Sequence, residues 1–210
     1  MLHNRKKHKV FCIGRNKTGT TTIEQVLKSF GYKLGDQGQA ELFTNDWKYR
    51  NFKNVIKFCK KYDAFQDVPF SHDFTFQAID TAFPNSKFIL TIRNNANEWF
   101  DSLTRFHTKI VNKGRLPTAE DLKEFPYRHK GWLWNQFTSV YGDDESILYD
   151  RHTYTTHYNN HNNRIREYFR HRPQDLLVIN IADPTSMEDL CDFLGFDFTD
   201  QEMPHLNQSN

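Results

Sequence analysis

The sequence predicts an α/β fold: a three-layer domain with a mostly parallel central sheet of four to five strands flanked by helices. Three observations carry this. Lys9 to Phe30 reads as a short apolar strand (Val10-Phe11-Cys12-Ile13), a polar turn from Gly14, and a helix whose Ile23, Val26, Leu27 and Phe30 share one face. Lys87 to Arg93, KFILTIR, is β-branched and aromatic without polar alternation, as in a parallel strand covered on both sides. Leu176 to Ile181, LLVINI, repeats that character near the end of the chain. Helical patterns separate these strands, and alternation of the two types builds a parallel sheet.

The intervening elements follow in order. Gly31 to Gly35 is a turn or short strand. Phe52, Val55, Ile56 and Cys59 share a helical face within Asn51 to Tyr62. Ala64 to Pro69 reads as a short strand ending at its proline, with Val68 extended because a proline follows. Phe76, Ile79 and Phe83 mark a helix stopped by Pro84. After Arg93-Asn94-Asn95 a helix carries Ala96, Trp99, Phe100, Leu103, His107 and Ile110 on one stripe. Two more helices are expected near Lys130 to Val140 and Arg151 to Arg170. A last helix begins with a capping box from Ser186 to Asp189 and stops at Gly195. No repeat or linker divides residues 1–210, so one domain is expected, with residues 112–131 forming a long excursion that suits an active-site lid.

Composition narrows the function. A formal charge of +2 over 210 residues argues against a dedicated nucleic-acid binder. The run Arg5-Lys6-Lys7-His8-Lys9 reads as a solvated end leading into the first strand. The 3 cysteines, Cys12, Cys59 and Cys191, sit far apart in apolar frames, as expected of reduced thiols in a reducing compartment. No apolar run approaches the roughly 18 residues of a membrane span, and no signal-peptide core is present. A soluble, cytoplasmic protein is expected, with no membrane or nucleic-acid partner; the sequence is silent on oligomeric state.

The strand–turn–helix unit is the natural anion site. Unpaired N–H groups at the helix start, together with the helix dipole, favour phosphate. Gly14 and Gly19 have the spacing of the triphosphate-binding P-loop GxxxxGK[ST], but Thr20 and Thr21 stand where that loop carries its lysine and hydroxyl. The loop's lysine is Lys17 instead. A plain strand-to-helix turn with a threonine cap is the bland alternative.

Lys17-Thr18-Gly19-Thr20-Thr21 resembles the 5′-phosphosulfate-binding loop of the sulfotransferases, which use 3′-phosphoadenosine 5′-phosphosulfate (PAPS). A second element agrees: a strand ending in Arg93, then a helix carrying Ser102, similar to the family's 3′-phosphate-binding pair, although many members place the serine one residue nearer the arginine. Asp67-Val68-Pro69 lies where cytosolic members carry a catalytic His-x-Pro and some short microbial members carry Asp-x-Pro. Asp175 to Ile179, Leu190 to Gly195 and the tail Pro204-His205-Leu206-Asn207 also look like that short branch. The C-terminal Arg-Lys-Gly-x-x-Gly motif of the cytosolic enzymes is missing, which leaves the adenine contacts unassigned.

The resemblance implies a P-loop-containing sulfotransferase with PAPS as co-substrate and no metal. It implies Arg15, Lys17, Thr18, Gly19, Thr20, Thr21, Thr22, Arg93 and Ser102 as donor-binding residues. Lys17 would stabilise the leaving phosphate, and Asp67 or His72 would be the base; His107, Glu41 and Asp36 are further rivals for that role. The acceptor is expected to be a small molecule or carbohydrate offering a hydroxyl or amine. Two alternatives remain open: a small-molecule kinase using ATP and Mg2+, with Asp183 as its metal-binding acid, and a nucleotide-binding module without catalysis. His157 and His161, four apart, could pair on a metal, but no third ligand accompanies them.

Overall fold

A computed structural model describes residues 8–111, 114–199 and 202–204. Arg5 to Lys7, the start of the excursion at 112–113 and the tail from His205 lie outside the described residues.

Four strands form one sheet, β1 (Val10–Cys12), β2 (Ala64–Phe65), β3 (Lys87–Thr91) and β4 (Leu176–Ile179), in the order β2-β1-β3-β4 with every pairing parallel. Successive strand residues face opposite ways, and the sheet uses both sides. Phe11, Ile13, Phe65, Phe88 and Leu90 face one layer. There they meet Val55, Phe58 and Cys59 of α4 (Lys53–Cys59), Phe76 and Ile79 of α5 (Thr75–Ala82), and Ile165 and Phe169 of α9 (Arg151–Phe169). Val10, Cys12, Ala64, Ile89 and Ile179 face the other layer. That layer is made by Ile23, Val26 and Leu27 of α1 (Thr20–Ser29) and Met187, Leu190 and Cys191 of α10 (Ser186–Leu194). Rings supply much of the first layer: Phe11 stacks on Phe65 at 4.8 Å and on Phe88 at 5.6 Å. All three cysteines are free and buried.

A third apolar cluster joins α6 (Ala96–Val111), α7 (Ala119–Glu124), α8 (Trp132–Tyr141) and α9, around Trp99, Leu103, Leu122, Trp132 and Tyr154. The excursion at 112–131 therefore contains a helix of its own. Thr118 caps α7 and Asp121 returns the bond to the Thr118 backbone, a complete capping box. Two further short helices, α2 (Gln37–Glu41) and α3 (Thr44–Lys48), fill the stretch after α1.

Two expectations need correction, and so does the bland alternative of a threonine cap. β2 stops at Phe65, because Asp67 takes a left-handed backbone with φ 57 and turns the chain out of the sheet. α1 has no threonine cap: Gly19 is its N-cap at φ 101. Ser186 does not open a capping box; the N-cap of α10 is Thr185, and the Ser186 hydroxyl donates to the Ile181 carbonyl at 3.3 Å. Among the described residues no helix is long and apolar enough to cross a membrane.

Candidate functional site

A cleft of about 1120 Å3 opens where β1 and β3 end. Its floor is the loop from β1 into α1. Gly14 makes that loop possible, since a Cβ there would lie 2.1 Å from Thr91 Oγ1 and 2.4 Å from the Thr91 carbonyl. Thr18 then pins the loop: its hydroxyl donates to the Arg15 carbonyl at 2.5 Å and meets Thr91 Oγ1 at 2.6 Å. Gly19 combines its positive φ with contact against Ile181, where a Cβ would approach to 2.3 Å. The start of α1 is thereby held facing the cleft, and its unpaired N–H groups face the same way.

Lys17, Gly19, Thr20, Thr21, Thr22, Asp67 and Arg93 all line this cleft. Lys17 has a left-handed backbone, φ 67, and its ammonium rests over the Phe106 ring at 4.1 Å. Burial, then the neighbouring Arg93, pull its pKa below the usual lysine value. Arg93 is fixed by its Nε, which donates to the Lys17 carbonyl at 2.9 Å, while its backbone N–H donates to the Tyr158 hydroxyl at 3.0 Å. Among the described residues neither cation has a carboxylate within ion-pair distance.

Asp67 is held by its own turn: Oδ1 accepts from the Val68 N–H at 2.9 Å and from the Ser71 hydroxyl at 3.4 Å. Burial and then Glu41 push its pKa up to about 6. Glu41 also lines the cleft, where it pairs with Arg128 and accepts from Gln37 Nε2 at 3.2 Å. Asp36 is exposed and serves as the N-cap of α2.

Several expected residues lie elsewhere. Thr18 is fully buried, with its hydroxyl spent on the loop. Ser102 is on the buried side of α6 and outside the cleft wall. His72 is buried against Trp47, bonds Gln136 Oε1 at 2.9 Å, and lines an inner chamber instead of the cleft. Burial and the nearby Arg15 hold its pKa down at about 3. Arg15 is buried in the wall of that same chamber. Asp183 is exposed in the turn after β4 and outside the cleft wall. His161 is a structural group: its ring nitrogens meet the Ile13 carbonyl at 2.9 Å and Asp73 Oδ1 at 2.7 Å.

The structure adds residues that the sequence did not single out. Arg105, Lys109 and Arg151 line the cleft, and Arg151 is held by Asp101 at 2.7 Å. The signal for the first two was available: they stand four apart on the helix that follows Arg93, hence on one face. His107, already named as a rival for the base, lines the cleft too, with Nδ1 2.8 Å from the Tyr149 hydroxyl. Burial, then Lys17, pull its pKa down to about 4. Leu116 and Tyr127 bring the excursion to the cleft wall.

Taken together, an α/β sheet, a glycine-shaped loop and unpaired cations around one helix start define a transferase of the sulfotransferase class once the family is known. The family model described as the sulfotransferase domain matches residues 9–210, and the chain belongs to that family. The group it moves is a sulfuryl group. No curated protein gives a significant match.

Proposed function

We propose that this protein transfers a sulfuryl group from PAPS to a hydroxyl or amine of a small-molecule or carbohydrate acceptor. The observation that carries the donor assignment is the placing of Lys17, Arg93 and the start of α1 on one cleft with no carboxylate among the described residues paired to either cation. A bound PAPS would supply an activated sulfuryl group on a phosphate leaving group.

In this reading the N–H groups at the start of α1 and the hydroxyls of Thr20 and Thr21 hold the 5′-phosphate. The Lys17 ammonium faces the bridging oxygen, where negative charge develops as the S–O bond to phosphate breaks. Arg93, aided by Arg105 and Lys109, takes the 3′-phosphate, for which the guanidinium fork is suited. Asp67 accepts the acceptor's proton as the new S–O bond forms. Its raised pKa makes it a better base than an ordinary aspartate near neutral pH, and it remains ionised there. His72 is set aside as base because it does not line the cleft.

Differential ligand stabilisation tests this. A ligand held by the native state alone raises stability by RT ln(1 + [L]/Kd). A melting-temperature rise with 3′-phosphoadenosine 5′-phosphate (PAP), and little with ATP and Mg2+, is expected. The reverse ranking would remove the PAPS assignment in favour of a kinase. A PAP shift with no sulfated product from any acceptor would leave only a nucleotide-binding module.

A further inference from the structure

Beside the cleft lies an inner chamber of about 90 Å3. Asn16, Val68, His107, Trp132, Leu133 and Tyr149 line both spaces, so the two share a wall. The chamber's remaining walls are largely apolar, with Trp99, Leu103 and Phe137 among them.

Into that wall is set the guanidinium of Arg15, only 6% exposed. Its NH1 donates to the Ser71 carbonyl at 3.1 Å and the guanidinium also hydrogen-bonds the Tyr141 hydroxyl, but its Nε–H is buried and has no partner. Asp67 is near enough for Arg15 to pull on its pKa, yet lies beyond ion-pair distance. Asp73, the other nearby acid, is taken up by His161 and Arg164, at 2.7 and 2.6 Å. His72, also buried in this wall, donates from Nε2 to Gln136 and leaves Nδ1 with a lone pair and no donor. The imidazoles His72 and His107 are both held neutral, so they add no second cation.

A guanidinium keeps its proton at any ordinary pH, so it cannot escape burial by neutralising. A buried charge without an opposite charge and a full set of hydrogen bonds costs several kcal/mol. An apolar chamber that retains such a cation in its wall, with no carboxylate among the described residues paired to it, is therefore suited to an anion. One cation balances one negative charge; a dianion would carry uncompensated charge into the same walls. A planar carboxylate matches the fork. The volume is far below the several hundred Å3 that encloses a whole drug-sized ligand, so only one end of a molecule enters.

We propose that the inner chamber anchors the acceptor, and that the acceptor is an apolar-bodied hydroxy acid whose carboxylate pairs with Arg15. Its hydroxyl would lie toward the shared wall at Val68, next to Asp67. This rests on the sulfuryl-transfer reading above and narrows its acceptor from small molecules and carbohydrates at large. Ser71 ties the two ends together: its carbonyl accepts from Arg15 and its hydroxyl donates to Asp67.

Calorimetry on the full chain saturated with PAP tests the assignment. The probes are 4-hydroxyphenylacetate and branched aliphatic hydroxy acids, each against its primary amide. At least one acid is expected to bind tenfold or more tightly than its amide. Arg15→Met, which removes the charge but keeps much of the volume, is expected to reduce that ratio to within twofold without weakening the amide. Equal affinities of acid and amide in the wild type, or no binding by any probe, would overturn the proposal even if the variant does not fold. So would a preference that survives Arg15→Met. PAP binding is read separately on the wild type without acid; its absence would remove the donor assignment and leave the acid-to-amide ratio to be judged alone.

Discussion

Arg15 and Lys17 stand two residues apart on one loop, yet they serve two unlike environments. Lys17 is half-buried and faces the broad cleft, with Arg93, Arg105 and Lys109 also on its wall. Arg15 faces a small aromatic chamber in which the ionisable imidazoles are held neutral. Several cations in an open cleft suit a ligand of high negative charge that enters and leaves through water. A single buried cation discriminates instead, because any ligand failing to pair with it leaves the burial cost unrelieved. On the proposed reading, the loop separates holding a common donor from selecting an acceptor.

The largest expected effect lies on the open side. Lys17→Ala removes the ammonium that the proposed mechanism directs at the leaving phosphate, and losing such a group costs about 10^3 in turnover. Single-turnover transfer measured beside PAP affinity checks it: the rate should collapse while affinity falls far less. Equal losses in both would mean that Lys17 only binds.

Asp67, on the shared boundary, comes next. Asp67→Asn should lower turnover by about 10^2 to 10^3, the range of a general base. The wild-type rate should rise with pH and level off above about 6, because the raised pKa means that the active carboxylate appears only as pH passes that value. The substitution should remove this limb. A limb that persists would move the base to another group lining the cleft, such as His107 or Glu41.

Arg93→Ala should weaken PAP binding by about 10- to 100-fold, in keeping with a charge-assisted phosphate contact. Adenosine 5′-phosphate, which lacks the 3′-phosphate, should be weakened far less. Titration of both ligands against both proteins gives the ratio.

The chamber side predicts a stability effect instead. His72 and His107 have folded-state pKa values of about 3 and about 4. Folding therefore favours their neutral forms: their contribution is present above the ordinary imidazole pKa and is lost as pH falls from about 6.5 toward those values. Asp67 acts in the opposite direction, since its raised pKa favours the folded state as it protonates. Burial lowers His157 to about 3 and lowers His161 as well, so the imidazoles together outweigh the one carboxyl and should leave a net loss. A loss of about 2 kcal/mol lowers Tm by roughly 4–8 °C in a chain of this size. Melting curves from pH 7 to 4.5, repeated on His72→Phe and His107→Phe, would show whether these two rings carry the slope.

The same contrast explains what the sequence made legible. The donor side is written in contiguous residues: a strand, a loop and a helix start within Lys9 to Phe30, and Arg93 at the end of a continuous apolar run. In the proposed reading backbone N–H groups do much of the binding there, so spacing alone exposes it. The chamber draws Arg15, Ser71, His72 and Gln136 together from separate segments through contacts such as His72 to Gln136, 64 residues apart. No local period encodes that. The turn at Asp67 was hidden too, because an apolar run ending in proline reads as strand whether or not one residue adopts a left-handed backbone. Helices of five or six residues, such as α2, α3 and α7, are too short to display a repeated apolar face.

Ser102 is the smallest effect and the sharpest test of how far family resemblance extends. By resemblance its hydroxyl shares the 3′-phosphate with Arg93. In the fold it is 4% exposed on the inner side of α6, while the cations of that helix, Arg105 and Lys109, line the cleft. Its neighbour Asp101, at the position where many members carry the serine, is committed to Arg151. Ser102→Ala should therefore change PAP affinity less than about twofold, whereas Arg105→Ala and Lys109→Ala should each weaken it more, as expected for screened cations near a phosphate. If Ser102→Ala costs tenfold while the two cation variants are neutral, the family's serine is in use, and the 3′-phosphate lies deeper against α6 than the cleft wall.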